Sequence, residues 1–114
     1  MVRNGNVQLQ LQVRGVENTN EIGEQVAVWE TVENLTGWLD LSAGDSKYTT
    51  YNAKMQESTH VFICAYKELG NAAAENSRAV IDGSLYDVML IDDPLNMHRQ
   101  LELYLKYTGG QNGG

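Results

Sequence analysis

The sequence is poor in the residues that carry metal and redox chemistry. Its 114 residues include one cysteine, Cys64, and two histidines, His60 and His98. A single cysteine cannot form an internal disulfide, and because Cys64 lies in an apolar run we expect it to be a small buried side chain. The histidines lack the paired spacing of a zinc site. These absences predict no metal ion, no cofactor and a reducing compartment.

Long apolar runs and an excess of basic charge are also missing. No run approaches the ~18 residues of a membrane span, and the first ten residues, MVRNGNVQLQ, lack the apolar core of a signal peptide. The formal net charge of -7 is the wrong sign for a chain that grips DNA through its phosphates. We therefore expect a soluble protein without an export signal, without a membrane partner and without sequence-specific DNA binding.

Candidate catalytic groups are equally few. Asp92 and Asp93 are adjacent, so on a strand their side chains point to opposite faces and cannot form an acid/base pair unaided. Their expected role is to start a turn before Pro94. Residues 42–44 and the terminal glycines lack the lysine and the helix start of a phosphate loop. The sequence predicts that the protein is not an enzyme.

Alternation of apolar and polar residues is the strongest pattern present. It runs through residues 7–14 and is typical of a half-buried strand. A polar turn over residues 18–23 and a second strand over residues 25–32 complete a hairpin. A bend at Asn34 or Gly37 would carry this second strand into a neighbouring sheet.

A second hairpin is predicted over residues 77–94. Asp82 and Gly83 separate two apolar runs, and such residues accept the positive φ that a tight hairpin requires. Both faces of the second arm are apolar, which indicates a central strand. Residues 59–66 form another strand with two apolar faces, expected beside this hairpin, and residues 100–106 alternate as the last strand.

Six or seven strands without a useful amphipathic helix predict an all-β domain, a small antiparallel β-barrel. The predicted domain spans residues 1–107, and a flexible glycine-rich tail follows at residues 108–114. Residues 42–57 form a long loop, and residues 67–76 a shorter connection with one possible helical turn. The predicted core consists of apolar residues from four of the strands: Leu9, Leu11, Val61, Ile63, Val88, Leu90, Leu101 and Leu103.

The order of these segments is similar to that of a known family. The succession WETVENLTGWLDLSAG, MQESTHVFICAY and SRAVIDGSLYDVMLIDDPLNMHRQLELYLKY resembles the head-to-tail joining, or head closure, family of tailed bacteriophages. The resemblance covers residues 7–107. The matching positions are Trp29, Gly44, Thr59, His60, Arg78, Gly83, Tyr86, Asp87, Val88, Arg99, Gln100, Leu101 and Glu102.

The resemblance implies a structural protein of the virion neck, made in the bacterial cytoplasm. Such a protein assembles as a ring below the portal and its adaptor, or connector, closes the DNA-filled head and offers the surface to which the tail-joining or tail terminator protein attaches. DNA is then only passing cargo. The loop at residues 42–57 matches the family's channel loop, and we expect its charged, stacking and flexible side chains to contact neighbouring subunits or the channel axis: Asp45, Lys47, Tyr48, Tyr51, Lys54 and Met55.

A different class of function is also compatible with these residues. A monomeric barrel that binds a small ligand or a peptide, with the long loop as its lid, has the same sequence pattern. The free protein is expected to be mostly monomeric at micromolar concentration under either hypothesis, because the sequence shows no long apolar surface that would drive assembly unaided.

Overall fold

The computed structural model describes residues 7–15, 18–19, 21–23, 25–26, 28–41 and 58–111. Six of its strands form a closed antiparallel barrel in the order β1-β4-β5-β8-β7-β6, and β2 and β3 form a separate two-stranded sheet. This confirms the predicted all-β barrel. The strands are β1 (Val7–Arg14), β2 (Asn18–Thr19), β3 (Gln25–Val26), β4 (Trp29–Leu41), β5 (His60–Ala65), β6 (Ser77–Ile81), β7 (Ser84–Asp92) and β8 (Gln100–Gln111).

Strand β4 is the element that joins the two halves of the barrel. Its first part pairs with β1 as far as Gly37, and its second part pairs with β5 from Gly37 onwards. A Cβ atom added to Gly37 would lie 2.1 Å from the carbonyl oxygen of Ile63. Gly37 pairs with both neighbouring strands, and only a residue without a side chain lets the β4 and β5 backbones approach so closely at this point. The predicted continuation through Gly37 is confirmed.

The β6–β7 hairpin forms as predicted. Asp82 and Gly83 have φ values of 52° and 81°, and Ile81 pairs with Ser84 across the turn. Two successive positive φ angles give the backbone twist that matches paired strands. Strand β7 ends at Asp92, and a single 3-10 turn at Pro94–Asn96 follows.

The first hairpin is more elaborate than expected. Within residues 18–23, predicted as a polar turn, Asn18 and Thr19 form β2 and pair with β3. Strand β4 begins only at Trp29, so the single strand predicted over residues 25–32 is wrong. The antiparallel pairing of β1 with β4 is nevertheless the predicted hairpin.

The position of β5 also differs from the prediction. We expected this strand beside the β6–β7 hairpin, but it lies between β4 and β8. Two apolar faces indicate that a strand is covered on both sides and do not specify which strands are its neighbours. In the closed order, β8 separates β5 from the hairpin.

The barrel interior is filled by side chains. Phe62, Leu103 and Leu105 are fully buried, as are Leu9 and Leu11 on the other side of the barrel. Such filling is usual for a barrel with few strands. The 12 buried residues of the core cluster are Leu9, Leu11, Leu35, Phe62, Cys64, Ala79, Ile81, Tyr86, Val88, Leu101, Leu103 and Leu105.

Two strands present a different face to the core than predicted. On β5, Phe62 and Cys64 belong to the core cluster, whereas Val61 is only half-buried and Ile63 is buried outside that cluster. On β7, the register shifts between Val88 and Leu90, so Leu90 is half-buried and lies outside the cluster. The other predicted core residues, Leu9, Leu11, Val88, Leu101 and Leu103, are confirmed, and Ile63 is buried as predicted.

The last strand is longer than predicted. It continues through residues 108–111, where Gln111 pairs with Ser84 and the Thr108 hydroxyl donates to the carbonyl oxygen of Leu85 at 3.1 Å. Residues 112–114 lie outside the described residues. In the described part of the chain, no helix has the length and hydrophobicity needed to cross a membrane.

Candidate assembly surfaces

The barrel has two ends with different connections. We call the end formed by Leu41, His60 and the Asp82–Gly83 turn the loop end, because residues 42–57 leave and return there. We call the opposite end, which carries residues 66–76 and 93–99, the far end. All six residues of the predicted channel loop lie outside the described residues: Asp45, Lys47, Tyr48, Tyr51, Lys54 and Met55.

Thr59 anchors the chain where it returns from residues 42–57. Its backbone nitrogen donates to the carbonyl oxygen of Leu105 at 2.8 Å, and its hydroxyl accepts a hydrogen bond from the backbone nitrogen of Tyr107 at 2.8 Å. The same hydroxyl lies 2.8 Å from Nδ1 of His60. The start of β5 is therefore fixed to β8, which gives the predicted loop a rigid point of attachment.

An aromatic cluster lies next to this anchor. The ring of Tyr86 is edge-on to His60 at 5.3 Å and to Tyr107 at 5.4 Å between centroids. Burial lowers the pKa of His60. Burial raises the pKa of Tyr86, with smaller contributions from Tyr107 and Asp82. Both shifts favour the uncharged form at neutral pH, so the cluster supports the loop end by packing.

The far end carries a protruding turn, residues 93–99, with an unusual backbone. Leu95, Asn96 and His98 have φ values of 57°, 55° and 56°, which side chains other than glycine rarely adopt. Asp93 stabilises this path: its Oδ1 accepts a hydrogen bond from the backbone nitrogen of His98 at 3.0 Å, and its Oδ2 contacts Nδ1 of the same histidine. The ring of Tyr66 lies against His98 at 4.6 Å.

This turn presents apolar side chains to solvent. Leu95 is 88% exposed and Met97 is 48% exposed. We call these two residues the knob. An exposed leucine held in a conformation that costs about 1–2 kcal/mol offers the isolated barrel no compensating contact. Such combinations occur where a surface serves a partner.

A groove opens at the far end on the β1–β4 side. Its volume is about 570 Å³, and its apolar lining includes Val13, Val32, Leu69 and Ala72. Three carboxylates, Glu30, Glu33 and Glu68, also line it. Lys67 neutralises one of them, with Nζ 2.7 Å from Oε1 of Glu33. We call this site the groove; it combines an apolar floor with an acidic border.

A polar network covers the outer face next to the groove. The Arg78 guanidinium lies 4.4 Å above the ring of Trp29, and its Nε donates to Oε1 of Gln12 at 2.7 Å. Gln12 in turn donates to the hydroxyl of Thr31 at 3.3 Å. Gln12 is buried, although the period-two pattern places it on the solvent side, and the register of β1 against β4 shifts between Leu11 and Gln12. The network fixes the β6-β1-β4 wall on which the groove is built.

Two further titratable side chains in the described part of the chain, Asp92 and Cys64, have pKa values shifted by burial. The pKa of Asp92 is raised by burial, then by the neighbouring Glu102 and Asp93. Glu102 is held by hydrogen bonds from Gln100 and Tyr104. Burial likewise raises the pKa of the Cys64 thiol, which disfavours the nucleophilic thiolate. Among the described residues, no group of three or more His, Cys, Asp or Glu could hold a metal ion.

The sequence reasoning missed the knob and the groove. It assigned Asp92 and Asp93 to a turn before Pro94, and the Asp93 contacts show how that turn is held. The signal for the knob was available, since Leu95 and Met97 are apolar residues in a segment with no strand or helix pattern. The groove has no local sequence signal, because its lining comes from three separate segments.

Comparisons with known proteins agree with this architecture. A family model described as "Phage head completion protein" matches residues 3–106. A chain in a solved structure titled "Virion of native gene transfer agent (GTA) particle" is similar with a TM-score of 0.50 and 13% sequence identity, covering 92% of this chain and 94% of that chain. At this identity, the likeness shows the shared fold. No curated protein sequence matches this chain.

Proposed function

The chain belongs to the phage head completion protein family, and from this premise we propose that it forms the ring that closes the DNA-filled head below the portal and its adaptor. As a member of the family it is a structural protein of the phage virion. Under the proposal, the lower side of the ring is the surface to which the tail-joining or tail terminator protein attaches. The family match over residues 3–106 is the observation that carries this conclusion, since it spans the whole barrel up to Lys106.

The filled interior of the barrel determines where a channel can lie. Phe62, Leu103 and Leu105 are completely buried in the centre, so DNA cannot pass through the barrel. A channel must instead run between subunits, with each barrel as a rigid section of its wall. A ring of several copies is the simplest arrangement that provides such a channel.

The predicted closure element remains the loop at residues 42–57. Its side chains combine charge, stacking groups and one flexible apolar group, a mixture suited to contacts with copies of itself or with the channel axis. The anchor at Thr59 supports this role, because a loop that narrows a channel needs a fixed base. The net charge of -7 also fits a wall that lets DNA pass without binding it.

The alternative, a monomeric barrel that binds a small ligand or a peptide, has less support from the geometry. Ligand barrels enclose a cavity, whereas the centre of this barrel is packed with fully buried side chains. Peptides commonly add a strand to a free sheet edge, and the closed order of the six barrel strands leaves no such edge among them. The six barrel strands therefore offer a peptide no free edge, and their packed centre offers a small ligand no cavity.

The test is to mix the purified protein with a portal–adaptor complex and examine the mixture by electron microscopy. We expect a ring of additional density at the narrow end of the complex. An unrelated acidic protein of similar size serves as the control for nonspecific adsorption. Absence of the ring at saturating protein would contradict the proposal and leave the binding module as the better hypothesis.

A further inference from the structure

The knob and the groove lie on opposite sides of the barrel at the same end. In the closed order β1-β4-β5-β8-β7-β6, the β1–β4 pair is diametrically opposite the β8–β7 pair. The groove opens beside β1 and β4, and the knob lies in the connection from β7 to β8. Both belong to the far end.

We propose that the knob of one subunit inserts into the groove of the next, and that this contact between two copies of the chain builds the ring. The inference rests on the proposed function and names its subunit interface. A contact between two different patches of one protein is heterologous, and heterologous contacts generate rings when the rotation closes.

The apolar surfaces of the two patches match in kind. Leu95 is 88% exposed in the free subunit, and Val32 in the groove is 43% exposed. Leu69 and Ala72 extend the apolar floor of the groove. Insertion removes both apolar surfaces from water, and the free energy gained offsets the conformational cost of the positive φ at Leu95.

The charges beside the two patches are opposite. Arg99 follows the knob, is exposed, and forms no ion pair with another residue in the described part of the chain. The groove border carries Glu30 and Glu68 in addition to the Glu33 that pairs with Lys67. Arg99 of one subunit therefore meets carboxylates of its neighbour when the knob is seated, which fixes the register of the contact.

Both patches lie at the far end, so a contact between them places neighbouring barrels side by side. Under the proposal, the ring closes because successive contacts turn by a constant angle about the ring axis without a rise. Every loop end then faces the same side of the ring. Leu41 and Ser58, which flank residues 42–57, then lie at the same height in every subunit, as is required if all copies of the loop close one channel.

The contact is small, which agrees with the expectation of a monomeric free protein. The knob presents only two side chains, so the surface area that it buries is well below the ~800 Å² per partner of a stable interface. We expect the contact to be populated on the adaptor platform or at high concentration, where effective concentration compensates for low affinity.

Cysteine cross-linking tests the contact without the adaptor. Leu95→Cys and Val32→Cys are prepared as separate variants and mixed under oxidising conditions at about 1 mM protein, where weak contacts are populated. Cys64 stays in place, because it is 3% exposed and shielded from the reaction. The matched control pairs Leu95→Cys with Asp87→Cys, an exposed position on β7 away from the groove.

We expect disulfide-linked dimers in the Leu95→Cys and Val32→Cys mixture to exceed those of each variant alone and of the control at least about tenfold. Equal self-linking by Leu95→Cys alone would show a symmetric knob-to-knob contact and overturn the proposal. Absence of enrichment would overturn it as well. If no enrichment were seen but rings still formed on the adaptor, the proposed function would stand and this interface would be wrong. If the variants were linked but no ring formed on the adaptor, the contact would stand and the proposed function would be wrong.

A second pair of variants distinguishes the effect of the Leu95 side chain from the effect of the strained backbone that holds it. Leu95→Gly and Asn96→Gly each place glycine at a positive φ, of 57° and 55° respectively, so both should raise the melting temperature. Only Leu95→Gly removes the inserted side chain. Sedimentation at high concentration should show that Leu95→Gly self-associates at least about tenfold more weakly than the unchanged protein. The self-association of Asn96→Gly should stay within about twofold of that of the unchanged protein. Equal association by both variants would refute the role of Leu95.

Discussion

Replacement of Gly37 by alanine tests whether the barrel closes as described. The added Cβ would lie 2.1 Å from the carbonyl oxygen of Ile63, 2.9 Å from its carbonyl carbon and 3.0 Å from Cβ of Cys64. Two of these three atoms belong to the backbone of β5, so no side-chain rotation can relieve the contact. The β4 and β5 backbones must separate at the pair formed by Gly37 and Cys64. We expect a loss of roughly 3 kcal/mol or more, comparable to the severe overpacking cases.

The assay for Gly37→Ala is urea unfolding followed by tryptophan fluorescence. The matched control is Gly109→Ala, where nothing lies within 4 Å of the added Cβ but the φ of 79° is unfavourable for alanine. That variant should lose only about 1–2 kcal/mol. A domain of this size has a total stability of about 5–15 kcal/mol, so the two losses are distinguishable. If Gly37→Ala were no less stable than the control, β4 and β5 would not approach as closely as described, and the closure of the barrel would be refuted.

Three further changes test the core, the electrostatics and the loop. Leu103→Ala should lower the free energy of unfolding by ~2–5 kcal/mol, because Leu103 is fully buried, and an unchanged unfolding midpoint would remove β8 from the core. The pKa of Asp92 is raised from 3.8, chiefly by burial, so its contribution to stability is present below pH 3.8 and is lost as the pH rises through the folded-state pKa. Asp92→Asn should therefore stabilise the protein at neutral pH in thermal unfolding and lose that advantage below pH 3.8; the same difference at both pH values would contradict this. Replacing residues 47–54 with a Gly/Ser linker of equal length should change the stability of the barrel by no more than ~1 kcal/mol while filled heads leak DNA or fail to join tails, and normal infectivity would show that the loop is not the closure element.

Local signals in the sequence were sufficient for most of the barrel strands. The alternation in β1 and the Asp82–Gly83 turn depend on neighbours in sequence, and both formed as predicted. Gly37 was one of the two positions proposed from the sequence for a bend, with Asn34, because a glycine within a strand marks a bend or a close approach. The family resemblance was confirmed by the match over residues 3–106. None of these predictions required knowledge of which strands are paired.

The wrong predictions all depended on information that a local pattern does not contain. On β5, Val61 and Phe62 are both apolar, so periodicity could not decide which of them faces the core. The register shift near Leu90 reverses the faces of β7 without a glycine or proline to mark it. Gln12 is buried where the register of β1 shifts against β4, and it accepts a hydrogen bond from Arg78, 66 positions away in sequence. The groove could not be predicted for the same reason, since it exists only once three distant segments meet.

The two ends of the barrel separate the two tasks that head closure requires. In the proposed ring, neighbouring subunits meet through Leu95 and the groove at the far end, while residues 42–57 act at the loop end. The packed interior connects the ends rigidly, because fully buried side chains such as Phe62 leave little room for independent movement. Leu95→Gly should therefore weaken ring assembly without changing the loop, whereas the loop replacement should leave the ring assembled and impair DNA retention or tail joining. Particles assembled from mixtures of the two variants would test whether the two ends act independently. The fraction of particles with a ring should follow the fraction of subunits that have Leu95. Among particles with a complete ring, DNA retention should follow the fraction of subunits that have the natural loop. A dependence of ring occupancy on the loop would show that residues 42–57 also form part of the subunit interface.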